Sequence, residues 1–86
     1  ALERIADGHR SLIVDFSAVP FLDSTGANTM QGVVEKAARR RVRVYITGAS
    51  ASVRRVLTAH AVREPLAIYR PTIADAMAEA HAGNGS

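Results

Sequence analysis

The stretch SLIVDFSAVPFLDSTGA, residues 11–27, contains the change of hydrophobic pattern that decides the class of fold. Its opening part, residues 11–17, has the continuous apolar core LIV, which is typical of a strand covered on both faces. From Ser24 to Arg40 the apolar residues recur with the helical period instead. They form one broad face made of Ala27, Met30, Val33, Val34, Ala37 and Ala38. The stretch therefore predicts a buried strand followed by an amphipathic helix.

The same alternation continues along the chain. Residues 42–47, VRVYIT, are rich in β-branched side chains and predict a second strand. Ser50 is the predicted N-cap of a second long helix. Its inward residues are Val53, Val56, Leu57 and Ala61. Pro65 ends that helix, residues 66–69 predict a short third strand, and Thr72 is the predicted N-cap of a last helix.

The two ends of the chain complete the predicted organisation. Leu2 and Ile5 indicate a short amphipathic helix ending near Gly8, so the predicted order is αβαβαβα. This alternation is typical of an α/β fold with a largely parallel sheet. Because three strands make a small sheet, we infer that one or more N-terminal strands are missing from this chain, which leaves an unpaired edge. Residues 83–86 are expected to form a flexible tail behind a single domain, residues 1–82.

Composition excludes several classes of protein. The chain has 86 residues and no cysteine, so disulfides and thiolate metal sites are excluded and a reducing compartment is expected. No apolar run approaches the roughly 18 residues that span a bilayer, and the N-terminus does not resemble a signal peptide. His9, His60 and His81 lie far apart in the sequence, so no metal site is predicted.

The basic excess is small and consists mostly of arginine. The net charge is +3, and aromatic residues make up only 5% of the chain, so no nucleic-acid partner is expected. Arg39, Arg40 and Arg41 follow one another at a predicted helix C-terminus, where cations are favourable by about 0.3–1 kcal/mol. The alternative is contact with an anionic membrane surface, worth about 1 kcal/mol per basic residue.

The loop after the first strand carries the candidate site, because ligands tend to meet the carboxyl ends of parallel strands. Asp23 and Ser24 stand where the helix begins, and Gly26 allows its first turn to approach another surface closely. Residues 19–22, VPFL, are expected to seal the end of the core. Asp23 and Ser24 are then either simple helix caps, or Ser24 is a phosphorylation site or partner contact.

No catalytic residue is predicted. The element Asp23-Ser24-Thr25-Gly26 lacks the second carboxylate that an aspartic protease needs, and no Gly-x-Ser-x-Gly elbow surrounds the serine. Residues 45–50 lack the further glycines of a dinucleotide site, so no cofactor is expected. Weak binding of a nucleotide phosphate at the helix N-termini near Ser24 or Ser50 is left open.

Residues 15–27, DFSAVPFLDSTGA, resemble the signature of STAS domains, which are shared by bacterial anti-sigma-factor antagonists and the cytoplasmic tails of SulP-type sulfate/anion transporters. The likeness extends through the basic helix end and residues 42–57, and covers about residues 1–82. It implies a non-enzymatic fold with a mixed sheet and packed helices. The loop and helix N-terminus formed by Asp23, Thr25 and Gly26 would then surround the site.

In the antagonists a kinase that is also the anti-sigma factor phosphorylates the serine that Ser24 matches. Antagonists typically continue with Leu-Gly after the motif glycine, whereas this chain has Ala27-Asn28, and its residues 17–28 are more similar to transporter tails. The resemblance therefore implies the regulatory domain of a SulP-type transporter at the cytoplasmic face of the inner membrane. Its expected partners are its own transmembrane domain or regulatory proteins, and a homo-oligomer is compatible. A free-standing antagonist is the alternative, and a nucleotide-binding regulatory module is third.

Overall fold

The computed structural model describes residues 2–5 and 11–85, with side chains described for residues 11–81. The strands are β1 (Leu2–Ile5), β2 (Ser11–Asp15), β3 (Arg43–Thr47) and β4 (Ala67–Arg70). The helices are α1 (Ser24–Arg39), α2 (Ala51–Ala59) and α3 (Ile73–Gly85). The predicted strand–helix alternation from Ser11 onward is confirmed.

The four strands form one mixed sheet in the order β1-β2-β3-β4. Strand β1 is antiparallel to β2, with Leu2 opposite Asp15, whereas β2, β3 and β4 are parallel to one another. In the parallel part, Asp15 is opposite Thr47, and Thr47 is opposite Arg70. The carboxyl ends of β2, β3 and β4 therefore lie along the same edge of the sheet.

The prediction for the N-terminus was wrong. Residues Leu2–Ile5 form a strand and not a helix, so the element order is ββαβαβα. Two apolar residues three positions apart are too few to establish a helical period, and pairing with β2 satisfies backbone groups that an edge would expose. One N-terminal strand therefore lies beside β2, and the inference that one or more further strands are missing from this chain stays a prediction. The predicted helix end at Gly8 lies outside the described residues.

The C-terminus also differs from the expectation. Helix α3 extends to Gly85, so residues 83–85 continue the helix where a flexible tail was predicted. The two glycines in this segment, Gly83 and Gly85, lower helix propensity and led to the wrong prediction. Ser86 lies outside the described residues.

Helices cover both faces of the sheet. Helices α1 and α2 pack on one face over the larger core cluster, and α3 packs on the other face over the smaller one. The larger cluster contains Val14, Phe16, Met30, Val34, Ala37, Val44, Ile46, Val53, Leu57, Val62 and Ala67. The smaller contains Ile13, Tyr45, Ala76 and Ala80. Successive residues of β2 and β3 alternate between the clusters, as the period of a strand requires.

The predicted caps of the last two helices are confirmed. The Ser50 side chain accepts a hydrogen bond from the backbone N–H of Val53 at 3.3 Å. The Thr72 hydroxyl accepts one from the backbone N–H of Asp75 at 3.1 Å. Each cap satisfies one of the backbone donors that the first turn of a helix leaves without an intrahelical partner.

Candidate functional site

Residues 16–23 connect the carboxyl end of β2 to the start of α1. The Phe16 N–H donates to the Thr47 carbonyl at 2.8 Å, which extends the pairing of β2 with β3 by one residue. The Val19 N–H then donates to the Phe16 carbonyl at 3.0 Å, so the chain turns at once. Phe16 is buried, and both Val19 and Leu22 are partly buried against the larger core cluster. This loop is therefore anchored at both of its ends.

The middle of the same loop points outward. Phe21 is 77% exposed, and Pro20 is exposed as well. The expectation that residues 19–22 seal the core was therefore wrong for these two residues, although it holds for Val19 and Leu22. Phe21 is the exposed large hydrophobic residue among the side chains that the structure describes. An aromatic residue held in this position is available for contact with a partner.

Asp23 and Ser24 have different roles. Asp23 is the N-cap of α1, and its carboxylate accepts a hydrogen bond from the Gly26 N–H at 2.9 Å. Ser24 is the first residue of the helix and is exposed, and its side chain forms no hydrogen bond with the residues that the structure describes. The capping interpretation is therefore right for Asp23 and wrong for Ser24. The Ser24 hydroxyl remains accessible at the positive end of the helix dipole.

Gly26 and Thr25 complete the first turn of α1. A Cβ added at Gly26 would lie 2.6 Å from Cδ1 of Leu22, so the glycine allows the Leu22 side chain to pack under the helix. Thr25 is exposed, and its carbonyl accepts a hydrogen bond from the Thr29 hydroxyl at 3.0 Å. The four predicted residues, Asp23 to Gly26, therefore lie together on one accessible turn. We call this turn, with Phe21, the Ser24 corner.

A hydrogen-bonded carboxylate lies at the end of β2, where the loop that leads to the Ser24 corner begins. Asp15, the last residue of β2, accepts hydrogen bonds from the Ser17 hydroxyl at 2.5 Å and the Thr47 hydroxyl at 2.8 Å. These bonds, that from Ser17 most strongly, lower the pKa of Asp15 below its ordinary value. Asp15 therefore acts as a structural acceptor, whose two donors could not be identified from the sequence. Asp15 joins the ends of β2 and β3.

Gly48 joins the loops that follow these two strands. Its φ of +67° is a conformation that side chains rarely adopt. A Cβ there would lie 2.8 Å from the Cβ of Ser17 and 3.0 Å from its Cα. The absence of a side chain therefore allows the backbones of the two loops to touch. This contact joins the loop that leads to the Ser24 corner to the loop that leads to α2.

A cavity of about 280 Å³ opens at the carboxyl ends of β3 and β4, beyond Gly48. It is lined by Ile46, Gly48, Ala49, Arg54, Tyr69, Arg70 and Pro71. The Arg54 guanidinium carbon lies 4.5 Å from the centroid of the Tyr69 ring, which is the geometry of a cation–π contact. The Tyr69 hydroxyl donates to the Val62 carbonyl at 2.5 Å. Burial raises the pKa of Tyr69 to about 12, so the ring is uncharged at neutral pH.

Arg70 forms the other cationic wall of the cavity. Its Nε and Nη2 both donate to the Glu79 carboxylate of α3, the second at 2.8 Å. Its Nη1 donates to the Tyr69 carbonyl at 2.7 Å. The bond to Arg70 lowers the pKa of Glu79, so this pair is ionised at neutral pH. This cavity could not be predicted from the sequence, because its residues come from β3, α2, β4 and the loops after the two strands, and only the fold brings them together.

The Ser24 corner and the cavity lie at one edge of a sheet of three parallel strands and one antiparallel strand, with two helices on one face and one on the other. Comparison with known families finds a match to the STAS domain over residues 1–79, which is nearly the whole chain. The chain belongs to the STAS domain family. The match confirms the resemblance carried by the DSTG element and places the chain among regulatory domains related to anti-sigma-factor antagonists. A search of curated proteins found no match.

The arginine run of this STAS domain lies at the opposite end of α1 from Ser24. Arg39 is the last residue of the helix, Arg40 is its C-cap, and Arg41 adopts a left-handed conformation with a φ of 59°. All three residues are exposed. The structure therefore separates the predicted membrane-contact residues from the Ser24 corner by the full length of α1.

Two further expectations concern metals and membrane spans. Within the described residues, no group of three or more His, Asp or Glu side chains is arranged to hold a metal ion. His60 is the C-cap of α2, and its ring contacts the Val56 carbonyl at 3.0 Å. None of the helices that the structure describes is both long and apolar enough to cross a bilayer.

Proposed function

We propose that this STAS domain is the cytoplasmic regulatory and protein-interaction domain of a SulP-type sulfate/anion transporter. The observation that carries this proposal is the Ser24 corner, where an accessible serine and an exposed phenylalanine are presented on a turn that is anchored underneath. Such a corner is suited to binding a protein surface. In this proposal the domain performs no catalysis, and its partner is the transmembrane domain of the same protein or a regulatory protein.

The structure of the loop supports Phe21 as the anchor of that interaction. Its neighbours Val19 and Leu22 pack into the core, so the loop is held in place while Phe21 is 77% exposed. Aromatic side chains that fill a partner's pocket commonly dominate the free energy of protein–protein binding. Because the loop is anchored, little conformational entropy is lost when Phe21 binds.

Ala27 supports the transporter branch of the family over the antagonist branch. It follows the motif glycine, where antagonists carry leucine, and it is fully buried. A larger side chain at a fully buried position requires the surrounding core to rearrange, which typically costs about 1–3 kcal/mol. The packing under α1 is therefore adapted to a small residue at this position, which distinguishes this chain from the antagonists.

A second candidate function is a free-standing anti-sigma-factor antagonist that is switched by phosphorylation of Ser24. The exposure of the Ser24 hydroxyl favours it, because a kinase could reach that oxygen. A phosphate there would be stabilised by the N-terminus of α1 and repelled by the neighbouring Asp23 carboxylate. These opposing effects would change the charge of the corner without unfolding the domain.

The experiment that separates the two functions begins with the coding sequence upstream of Ala1. A transporter requires ten or more apolar spans in the same reading frame, and their presence would support the first proposal. A start codon close to Ala1, beside a gene for a kinase, would support the antagonist instead and contradict the transporter.

Binding then tests the role of the corner. The proposed transporter is purified with its STAS domain deleted, and the separate 86-residue chain is then added to it. We expect Phe21→Ala to weaken binding about tenfold or more. Lys36→Ala, an exposed change further along α1, serves as the control and is expected to leave binding unchanged. Equal binding by both variants would exclude the corner as the docking surface.

We further propose that Arg39 and Arg41 contact the anionic inner leaflet. Two basic residues near such a surface contribute about 2 kcal/mol of attraction. Removing both charges in R39Q/R41Q should therefore weaken retention on vesicles of phosphatidylglycerol and phosphatidylcholine about tenfold or more. The control is R54Q/R55Q, which removes the same charge near the start of α2. If both double variants are retained equally, or if vesicles without anionic lipid retain the domain as well, the membrane contact is excluded.

A further inference from the structure

The cavity at the ends of β3 and β4 is separate from the Ser24 corner and takes no part in the proposed docking. The connection from β3 to α2 is only three residues long, residues 48–50, and two residues connect β4 to α3. Neither loop folds back over the strand ends, so a space of about 280 Å³ remains between them. This volume lies near the lower limit of small-molecule pockets in proteins. A ligand there would be small.

The charges around this cavity decide what kind of ligand would fit. Arg70 is held by two hydrogen bonds from its guanidinium to Glu79, so its charge is already balanced. Among the side chains of residues 11–81, Arg70 and Glu79 form the one ion pair, and Arg54 has no carboxylate partner there. Its guanidinium instead lies over the Tyr69 ring. The cavity therefore offers one unbalanced positive charge.

The remaining walls are largely apolar. Ile46, Ala49 and Pro71 contribute aliphatic surface, and Tyr69 contributes its ring while its hydroxyl is bonded to Val62. The Tyr69 hydroxyl donates its hydrogen bond to the Val62 carbonyl, so it has no hydrogen left to donate to an anionic ligand. A bound molecule would need a short apolar body beside its charged group.

We propose that this cavity, the Arg54 notch, binds the carboxylate of a small organic monoanion with a short apolar body. The planar guanidinium of Arg54 can donate two parallel hydrogen bonds to a carboxylate, and its stacking on Tyr69 holds it in a fixed plane for that purpose. The single unbalanced charge matches a monoanion. A dianion would bring a second negative charge for which the notch holds no unbalanced cation.

The test is a titration of the ¹⁵N-labelled chain followed by NMR. Benzoate and propionate are the ligands, and benzamide and propionamide are their uncharged counterparts of nearly the same shape. We expect saturable shifts of the Gly48 and Ala49 amides and of the Arg54 Nε with the acids and none with the amides. Sulfate is added as a dianion and is expected to bind more weakly than benzoate.

Variants separate the notch from general attraction to the basic surface. Arg54→Gln should weaken benzoate binding about tenfold or more, since it removes a charge-assisted hydrogen bond. Arg55→Gln, which removes the same charge from the next exposed residue of α2, should leave the dissociation constant unchanged. Both residues are exposed, so both variants are expected to fold, as the spread of their amide signals will show.

Three results would overturn the proposal. Equal shifts with acids and amides would show that charge is not recognised, and equal weakening by both variants would show non-specific attraction. Tighter binding of sulfate or of a nucleotide than of benzoate would contradict the match to a monoanion. Neither Arg54 nor Arg55 belongs to the Ser24 corner, so none of these outcomes bears on the docking function.

Discussion

The Ser24 corner and the Arg54 notch lie on the same edge of one sheet but have opposite character. The corner exposes an aromatic ring and places the carboxylate of Asp23 next to its serine. The notch is concave and has two arginines in its walls. Loop length explains the difference in shape, because eight residues connect β2 to α1 whereas three connect β3 to α2. A long loop can fold outward, and a short one leaves a gap between strand ends.

The comparison also shows where the two regions depend on each other. Gly48 lines the notch, and its backbone touches Ser17 in the loop that leads to the Ser24 corner, where the Ser17 hydroxyl is bonded to Asp15. The largest effect is therefore expected from changes at Gly48, and smaller effects from residues that belong to the Ser24 corner alone.

Gly48→Ala should reduce the free energy of unfolding by about 2–4 kcal/mol. About 1–2 kcal/mol comes from the left-handed backbone, and the rest from the clash of the new methyl group with Ser17. Urea unfolding measures the loss. Gly32→Ala is the matched control, because a Cβ there meets nothing within 4 Å and alanine favours the interior of α1. The control should stabilise by up to about 1 kcal/mol, and equal losses in both variants would contradict the contact.

Asp23→Ala should reduce the free energy of unfolding by about 1 kcal/mol, since it removes the hydrogen bond that caps α1. The comparison is with Ser24→Ala, one residue further along. That variant should change stability by less than about 0.5 kcal/mol, because the Ser24 side chain is exposed and is not the cap. Thermal unfolding of both variants gives the two values. A larger loss at Ser24 would show that the serine is the structural residue.

Asp15→Asn should reduce the free energy of unfolding at neutral pH by about 1 kcal/mol. The reason is that a hydrogen bond to a charged carboxylate contributes more than the bond that the neutral amide oxygen of asparagine would still accept. The folded pKa of Asp15 is lowered, so its contribution is present above the unfolded pKa of about 3.9 and is lost as the pH falls through the folded value. The difference from the original chain should therefore shrink below about pH 4. Urea unfolding at pH 7 and pH 3 tests it, and a constant difference would mean that the charge contributes nothing.

Ser24→Asp should have the smallest effect on stability, less than about 0.5 kcal/mol in either direction. The new carboxylate is favoured by the N-terminus of α1 and disfavoured by Asp23, so the two contributions oppose each other. Its effect on partner binding should be larger than its effect on folding. Fluorescence-detected unfolding measures the effect on folding, and the binding assay with the transporter that lacks its STAS domain measures the effect on binding. A destabilisation above 1 kcal/mol would show that a charge at this position disturbs the fold.

Parts of both regions follow from sequence, and parts do not. The DSTG turn was located because a continuous apolar strand and a helical period meet there, and both are local patterns. The exposure of Phe21 was missed, because the path of a loop decides which of four consecutive apolar residues is buried. The contact of Arg54 with Tyr69 was also missed, since it depends on the register of β4 against β3 and joins residues fifteen positions apart.

The N-terminal strand was missed for a different reason. Four residues contain too little pattern to distinguish a helix from a strand, and only pairing with β2 determines the conformation of Leu2–Ile5. Short edge elements are fixed by their neighbours, whereas α1, with sixteen residues and a sustained apolar face, is fixed largely by its own sequence.

The length of α1 has a consequence for how two signals would combine. Sixteen residues at 1.5 Å each place the serine and the arginines about 24 Å apart, which is roughly three times the distance over which physiological salt screens a charge. A phosphate added at one end would therefore leave the electrostatic potential at the other nearly unchanged. Attachment of one end and modification of the other would be independent events, and their free energies would simply add.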